Sequence, residues 1–457
     1  MQNEREYSPQ PPGGFFQRFS WYGPGLLWMV SSVGSGSVLF TPRVGGRYGY
    51  SLAWVVFVVI FFQWVWIREI GRFTVVTGRT ILDGYSTIPG PRGWAVWFII
   101  IPQFFAAVFT VSGIASLIGS ALMIALPGAH WFYGTAMIIV SIILVLLGKY
   151  KGVEKIASLL AAVLVLVTVV TAVVVFPSSA EPVAGLIPNI PPDFDFYFLL
   201  PWIGFMLAGA AGILWYSYWV AEKGYGGKVT GESATQKNQT DISSEEIRRR
   251  LRIWNHIMST SSAIAVIAAG IVTLAFLVLG TELLLPRGII PEGIEVARDL
   301  TTLLEAVWGR AGFWLLIVGI FIALFGTILS NQDGWGRSFA DATLILLPSD
   351  LKKGTSDSWL INFVNNRLYL KNFYASTVTA LIPLVVFLIV REPVALLSFG
   401  GIIAAIHMPV IVLLTQYVNV KNLPAELRPG RVISWVMYVS GFIYIIIGLI
   451  YLYDAFV

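Results

Sequence analysis

The sequence has few of the residues that soluble enzymes use for chemistry. Cysteine is absent, which excludes disulfides, thiolate metal sites and cysteine nucleophiles. Charged residues make up 12% of the chain and hydrophobic residues 56%, a balance that is typical of polytopic helical membrane proteins. No phosphate-binding loop, HExxH motif or carboxylate pair occurs inside an apolar run, so nothing indicates an enzyme or a cofactor. The net charge of +5 gives no reason to expect a nucleic-acid partner.

Carboxylates are missing from the middle of every apolar segment. All 25 Asp and Glu residues fall in predicted loops, tails or segment ends. The four nearest to a core are Glu69, Glu222, Asp333 and Asp341. We place each of these four at a predicted cytoplasmic end.

Eleven apolar segments are long enough to cross a bilayer, whose hydrocarbon core needs about 20 apolar helical residues. The predicted spans are 23–45 (broken), 50–70, 94–126, 132–149, 156–176, 197–221 (broken), 254–280, 306–332, 372–390, 394–417 and 432–453. They divide the chain into a tail over 1–20, spans 1–6 over 21–222, a loop over 223–252, spans 7–10 over 253–420, and span 11 within 421–457. The sequence therefore predicts an all-α integral membrane protein with eleven transmembrane helices.

The basic residues are unevenly divided between the two sides of these spans. Six of them lie outside if the N-terminus is cytoplasmic: Arg43, Arg47, Arg287, Arg298, Arg310 and Arg391. The other 24 of the 30 Lys and Arg residues then lie inside, as the positive-inside rule requires. We predict a prokaryotic plasma-membrane protein with a cytoplasmic N-terminal tail, which lacks the apolar core of a signal peptide, and an extracytoplasmic C-terminus.

The loop 223–252 ends in a basic, partly apolar stretch. Ser243 and Glu246 have the spacing of a capping box, which predicts the start of a helix. Its arginines are Arg248, Arg249, Arg250 and Arg252. Basic residues beside apolar ones predict an amphipathic helix that rests on anionic lipid headgroups, with a regulatory contact as the alternative.

The first span is interrupted near its middle by Gly34, Ser35, Gly36 and Ser37. Unpaired backbone groups at that depth are tolerated only where they line a cavity enclosed by protein, and secondary transporters build substrate sites from broken helices of this kind. In the sixth span, the small residues 209–212, ending in Gly212, predict a second break. Close packing of small residues is the alternative interpretation for both segments.

Several motifs resemble the Nramp (natural resistance-associated macrophage protein) divalent-metal transporters. The GPG at 23–25 and the RYGY at 47–50 match the first span of that family, and 72–78 (RFTVVTG) is similar to its RxxVVTG signature. Residues 118–121 and Met408-Pro409 add weaker matches. The resemblance implies a LeuT-like fold: two inverted five-helix repeats, with the first helix of each repeat unwound around the substrate.

The same alignment shows where the chain departs from the family. The metal-binding motif DPGN falls on Gly34, Ser35, Gly36 and Ser37, and the motif MPH falls on Trp215, Tyr216 and Ser217. The acidic pair linked to proton passage falls on Gly113 and Ser116, and His407 replaces a common glutamine. A histidine inside a membrane is a functional candidate, although it can also be satisfied within a helix interface.

Three hypotheses for function follow from the site. A bare divalent ion needs charge compensation that is absent here, whereas hydrated magnesium, which sheds water reluctantly, suits hydroxyls and carbonyls such as those of Ser35 and Ser37. The first hypothesis is therefore transport of hydrated magnesium without proton coupling. The second is transport of a small anion or neutral polar solute, favoured by helix N-termini and by Arg43, for which headgroup snorkelling is the alternative. The third is a sensor or scaffold that transports nothing.

The facing wall of this predicted site comprises Gly212, Trp215, Tyr216, Ser217 and His407. For the two aromatic residues, packing is the alternative to contact with substrate. The oligomeric state is not specified by the sequence.

Overall fold

The computed structural model describes residues 8–32, 34–148, 150–227, 245–348 and 359–456. Helices occupy each of the eleven predicted span positions in these ranges. Their bounds are Gly23–Ser32 with Gly36–Phe40 and Thr41–Tyr48 (span 1), Ala53–Thr77 (2), Trp94–Ala125 (3), His130–Leu146 (4), Tyr150–Val175 (5), Phe196–Phe205 with Gly209–Lys223 (6), Glu245–Leu279 (7), Val296–Leu346 (8), Arg367–Ser376 with Thr377–Leu381 and Ile382–Val390 (9), Pro393–Asn422 (10) and Arg431–Phe456 (11). Ser243, half of the predicted capping box, lies outside the described residues.

Eight of the described helical segments are both long and apolar enough to cross a membrane. Shorter apolar helices, His130–Leu146 and Ala161–Val175, occupy the positions of spans 4 and 5. Large apolar side chains are exposed on the outer surface, among them Phe98, Leu166 and Val173. Exposed apolar surface on this scale indicates contact with lipid. The helices therefore form an integral membrane protein.

Span 8 is longer than the sequence indicates. Its helix runs from Val296 to Leu346 and is interrupted at Gly309, whose φ of 56° is left-handed. The prediction that the span ends at Asn331, Gln332 and Asp333 is wrong, because the helix continues for more than three further turns. The prediction was wrong because a run of polar residues resembles a helix end. In the structure, Asn331 and Gln332 are buried against other spans and do not cap a helix.

The basic stretch after residue 245 is continuous with span 7. Glu245–Leu279 is a single helix of 35 residues, so the arginines lie in its first turns and not in a separate helix. Arg250 donates to the carbonyl of Ser8 at 3.1 Å and forms an ion pair with Glu246. Arg249 and Arg252 are exposed.

Span 3 lies near the centre of the bundle and packs against spans 8 and 10. Two of its serines fix this position. Ser112 Oγ donates to the carbonyl of Pro383 at 2.9 Å, and Ser116 Oγ donates to the carbonyl of Arg391 at 2.9 Å. His130 Nε2 lies 3.1 Å from Ser116 Oγ. These hydroxyls join span 3 to spans 4 and 9.

Candidate functional site

The break in span 1 begins where the sequence indicates and then becomes a wide helical turn. The first helix ends at Ser32, the chain bends at Gly34, and Gly36–Phe40 forms a π-helix. A Cβ on Gly36 would overlap the carbonyl oxygen of Phe205 in span 6. Glycine is therefore required at position 36 because the backbones of the two broken helices touch there.

The break in span 6 lies earlier than predicted. Helix Phe196–Phe205 ends before Met206, and the next helix starts at Gly209, so the non-helical residues are 206–208 and not 209–212. Leu207 and Gly209 have φ values of 60° and 58°. The small residues mark the first turn of the second half-helix, where Gly212 packs against Ala208. Gly209 has a positive φ and Gly212 leaves room for Ala208, whereas the non-helical residues 206–208 are apolar.

Two polar side chains, one in span 2 and one in span 1, stabilise the breaks. Gln63 Nε2 in span 2 donates to the carbonyl of Met206 at 3.4 Å. Thr41 Oγ1 donates to the carbonyl of Gly36 at 2.9 Å and accepts a hydrogen bond from Trp202 Nε1 at 3.0 Å. Thr41 therefore links the π-helix of span 1 to the first half of span 6. Sequence reasoning missed these residues, although a buried amide in an apolar run signals a polar partner.

A cavity of about 60 Å³ lies between the breaks. At roughly 10–15 Å³ for each water, it has room for about four to six water molecules. Its polar lining side chains are Ser35, Gln103, Thr110, Thr327, Ser330 and Asn331, and its aromatic ones are Phe205, Trp215 and Trp335. No charged side chain lines it among the described residues.

Five of the predicted site residues line this cavity: Gly34, Ser35, Gly36, Gly212 and Trp215. Ser37, Tyr216, Ser217 and His407 are buried but do not line it. Ser217 Oγ donates to the carbonyl of Leu214 in its own helix at 2.8 Å, and the hydroxyl of Tyr216 lies 3.5 Å from the carbonyl of Met258. His407 Nδ1 lies 3.1 Å from Gln103 Nε2, behind the cavity wall.

Most of the remaining polar lining comes from spans 3 and 8, and Gln103, Thr110, Thr327 and Ser330 were not predicted as site residues. Thr327, Ser330 and Asn331 line the cavity from the helix of span 8. Trp335, one turn later, packs edge-to-face on Trp215 with ring centroids 5.1 Å apart. The spacing of these four residues places them on one helix face, and only Trp335 lies beyond the predicted span 306–332.

Ion pairs flank the cavity at both ends of the bundle. At the end that carries the chain's N-terminal segment, Asp333 forms ion pairs with Arg337 (2.7 Å) and Lys371, and Arg337 lies 3.5 Å from Glu222. Glu69 is fully buried there and accepts hydrogen bonds from Arg72 at 2.7 and 3.2 Å. Within the described residues, no group of three or more His, Asp or Glu side chains could hold a metal ion.

At the other end, Arg43 is buried, with only 5% of its surface exposed. Its Nε donates to the carbonyl of Pro291 at 2.7 Å, and Nη2 contacts Glu292 at 3.0 Å. Its guanidinium carbon lies 4.8 Å from the ring centroid of Phe198. The alternative of headgroup snorkelling is therefore wrong, because Arg43 joins span 1 to the segment before span 8 and to span 6.

Comparison with known proteins identifies the family. The family model described as "Natural resistance-associated macrophage protein-like" (Nramp) matches residues 25–454. The chain belongs to this family. The Nramp assignment agrees with two broken helices that enclose a cavity, and it makes the protein a membrane transporter and not an enzyme.

Individual Nramp relatives are distant in sequence. The chain is 23% identical over 362 residues to the uncharacterized protein PM0681 of Pasteurella multocida, which covers 75% of this chain and 74% of that protein. It is 27% identical over 187 residues to the divalent metal cation transporter MntH of Levilactobacillus brevis, covering 40% and 39%. A solved manganese transporter of Eremococcus coleocola superposes with a TM-score of 0.69 at 14% identity, covering 98% and 90%. The LeuT-like fold with two inverted five-helix repeats is thereby confirmed.

Proposed function

We propose that this chain is a secondary transporter of a divalent metal ion, and that the ion is magnesium carrying part of its water shell. The observation that supports it most directly is the uncharged, oxygen-lined cavity between the two helix breaks. Family membership favours a metal, and two relatives are described as a divalent metal cation transporter and a manganese transporter. Alternating access would move one half of the bundle against the other about the breaks.

The lining supports a hydrated ion better than a bare one. Magnesium prefers oxygen ligands and keeps several waters, so hydroxyl, amide and carbonyl oxygens can hold it through water. Ser35 and Asn331 offer such oxygens, and Gly34 and Leu207 place backbone close by. The imidazole and thioether ligands that suit iron and other transition metals are not among the side chains that line the cavity in the described residues.

We also propose that transport is not coupled to protons. A proton relay through a membrane uses ionisable side chains, and the described residues that line the cavity include none. Ser116 and Gly113, which align with the family's acidic pair, are buried and uncharged.

A small anion or neutral polar solute is the second candidate. The half-helix Gly209–Lys223 begins at the cavity, so the unpaired N–H groups of its first turn and its positive dipole end face the site. These N–H groups and this dipole favour an anion or another hydrogen-bond acceptor.

The orientation and the lipid contact remain proposals. We propose a cytoplasmic N-terminus, from the excess of basic residues on that side. The exposed arginines Arg249 and Arg252 would then contact anionic headgroups, together with the partly buried Arg248 and Arg250.

Flux into proteoliposomes tests the proposal. Purified protein would be reconstituted, and uptake of magnesium and manganese measured beside chloride and bicarbonate, with a pH-sensitive dye inside the vesicles. We expect saturable magnesium uptake without acidification. Acidification that accompanies metal uptake would contradict the absence of proton coupling. Absence of flux for both metals would overturn the metal proposal, and anion flux would then favour the second candidate.

A further inference from the structure

Gln103 is a buried amide that lines the cavity from span 3 and contacts two other spans. Only 2% of its surface is exposed. Its Oε1 accepts a hydrogen bond from Trp335 Nε1 of span 8 at 2.8 Å, and its Nε2 lies 3.1 Å from His407 Nδ1 of span 10. Three helices that surround the cavity therefore meet at one side chain.

The direction of this amide follows from the chemistry of its neighbours. An indole N–H can only donate, so the atom of Gln103 that faces Trp335 must be the oxygen. The amino group then faces His407, and it can only donate. Nδ1 of His407 must therefore be the acceptor, which requires a neutral imidazole with its proton on Nε2. Turning the amide over would place its amino group against the indole N–H, two donors face to face, and its oxygen against the lone pair of Nδ1.

Part of the hydrogen-bonding capacity of Gln103 is still unused by these two contacts. The oxygen has a second lone pair and the amino group a second N–H. A fixed amide presents these groups in one arrangement, whereas a freely turning amide would present either end. Fixed polar groups discriminate strongly between solutes, because a mismatched solute leaves a buried group unpaired.

We propose that Gln103 is a specificity-determining residue of this site, and that Trp335 and His407 are positioning residues that hold its amide in one direction. The proposal rests on the proposed transport function in that Gln103 contacts the magnesium ion or its waters. His407 is absent from the cavity wall. It therefore acts through Gln103 and does not itself touch the cargo.

The positioning step can be tested without any transport. The chain has three histidines, so nitrogen NMR of isotope-labelled histidine in detergent is simple to assign with a His407→Gln variant. We expect His407 to be neutral, with an unprotonated, hydrogen-bonded Nδ1, and we expect that resonance to shift in Gln103→Leu and in Trp335→Phe. A proton on Nδ1 in the wild type, or an Nδ1 resonance of His407 that does not shift in Gln103→Leu, would overturn the positioning role.

The specificity step is tested by magnesium uptake in proteoliposomes. We expect Gln103→Leu to raise the magnesium concentration for half-maximal uptake roughly tenfold, because a buried polar contact is lost. His407→Gln keeps an acceptor for the amide and should stay within about twofold of wild type, while His407→Leu should resemble Gln103→Leu. If Gln103→Leu does not fold, Gln103→Asn, which cannot reach both partners, should give the same direction of change.

A matched control lies on the same helix as His407. Gln416 is fully buried, does not line the cavity, and its amide has no hydrogen-bond partner among the described residues. We expect Gln416→Leu to leave uptake unchanged. The specificity role is overturned if Gln103→Leu takes up magnesium as the wild type does. It is also overturned if Gln103→Leu and Gln416→Leu lose magnesium uptake equally. If the wild type moves no metal, the metal proposal fails, and the NMR experiment still decides the positioning role.

Discussion

The centre and the two ends of this transporter differ in how they use charge. The described residues that line the cavity carry hydroxyls, amides and indoles, whereas ion pairs hold the helix ends together on both sides. Arg43 is buried, but its partner Glu292 is 63% exposed, and Arg47 pairs with the partly exposed Asp195. Exposed pairs contribute little free energy and are readily separated. The end that carries Arg43 and Arg47 therefore has contacts that can open, while the centre has fixed dipoles.

The buried pair Glu69–Arg72 does not follow this pattern. Both residues belong to span 2, and the carboxylate is completely buried, so the pair cannot separate when helices move apart. Arg72 Nη1 also donates to the carbonyl of Leu427 at 3.3 Å, and Asn419 donates to the carbonyl of Glu69 at 2.8 Å. This pair supports the junction of spans 2, 10 and 11, and it is suited to a static role.

The largest effect should come from blocking the contact of the two broken helices at the centre. In Gly36→Ala the new methyl group would overlap the carbonyl of Phe205, so the breaks must separate, and we expect uptake to fall to background. Gly448→Ala in span 11 is the control, since its methyl group would lie 3.7 Å from Ile406. Proteoliposome flux measures both variants. Undiminished uptake by Gly36→Ala would show that the close contact of the two breaks is not needed for transport.

The next-largest effect compares the loss of a buried ion pair with the loss of an exposed one. Glu69→Gln leaves Arg72 charged and largely buried, and should lower the free energy of unfolding by about 3 kcal/mol. Glu295→Gln breaks the pair with Arg298, which has the same three-residue spacing but is more than 60% exposed on both sides, and should cost less than about 1 kcal/mol. Thermal unfolding in detergent measures both variants. Equal losses would show that burial does not distinguish the pairs.

Much of the fold could be predicted from the sequence. Apolar length placed eleven spans, and the Gly-Ser-Gly-Ser segment placed the first break at the residues where the chain bends. The second break could not be placed, because unwinding falls on Met206 and Leu207, which look like helix residues, while Gly209 supplies a positive φ and Gly212 permits close packing against Ala208.

The candidate site was harder to predict than the fold. Span 8 was ended too early because its polar residues resembled a helix end, and Trp335 lay beyond the predicted end. Gln103 was missed because one amide in an apolar run has no pattern of its own. Its role depends on Trp335 and His407, which are more than 200 residues away in sequence. Contacts of that kind become visible only in three dimensions.

The smallest effect concerns a charge at the edge of the bundle. Asp83, in the short helix Ile81–Tyr85 between spans 2 and 3, accepts hydrogen bonds from the backbone N–H of Thr80 at 3.2 Å and from its hydroxyl at 3.0 Å. Burial raises the pKa of Asp83, with a further contribution from nearby Asp341. The folded state therefore binds the proton more tightly than the unfolded chain does. The resulting stabilisation is complete below the unfolded pKa of about 3.9 and is lost as the pH rises through the folded pKa.

Asp83→Asn should remove this pH dependence, because an amide accepts the backbone hydrogen bond without a buried charge. We expect the variant to equal or exceed the wild type at neutral pH by less than about 1 kcal/mol, and to lose its advantage near about pH 4. Thermal unfolding at both pH values measures the difference. A variant less stable than wild type at neutral pH would show that the ionised carboxylate is favourable there, and the contrast between charged ends and a neutral centre would then extend to this helix as well.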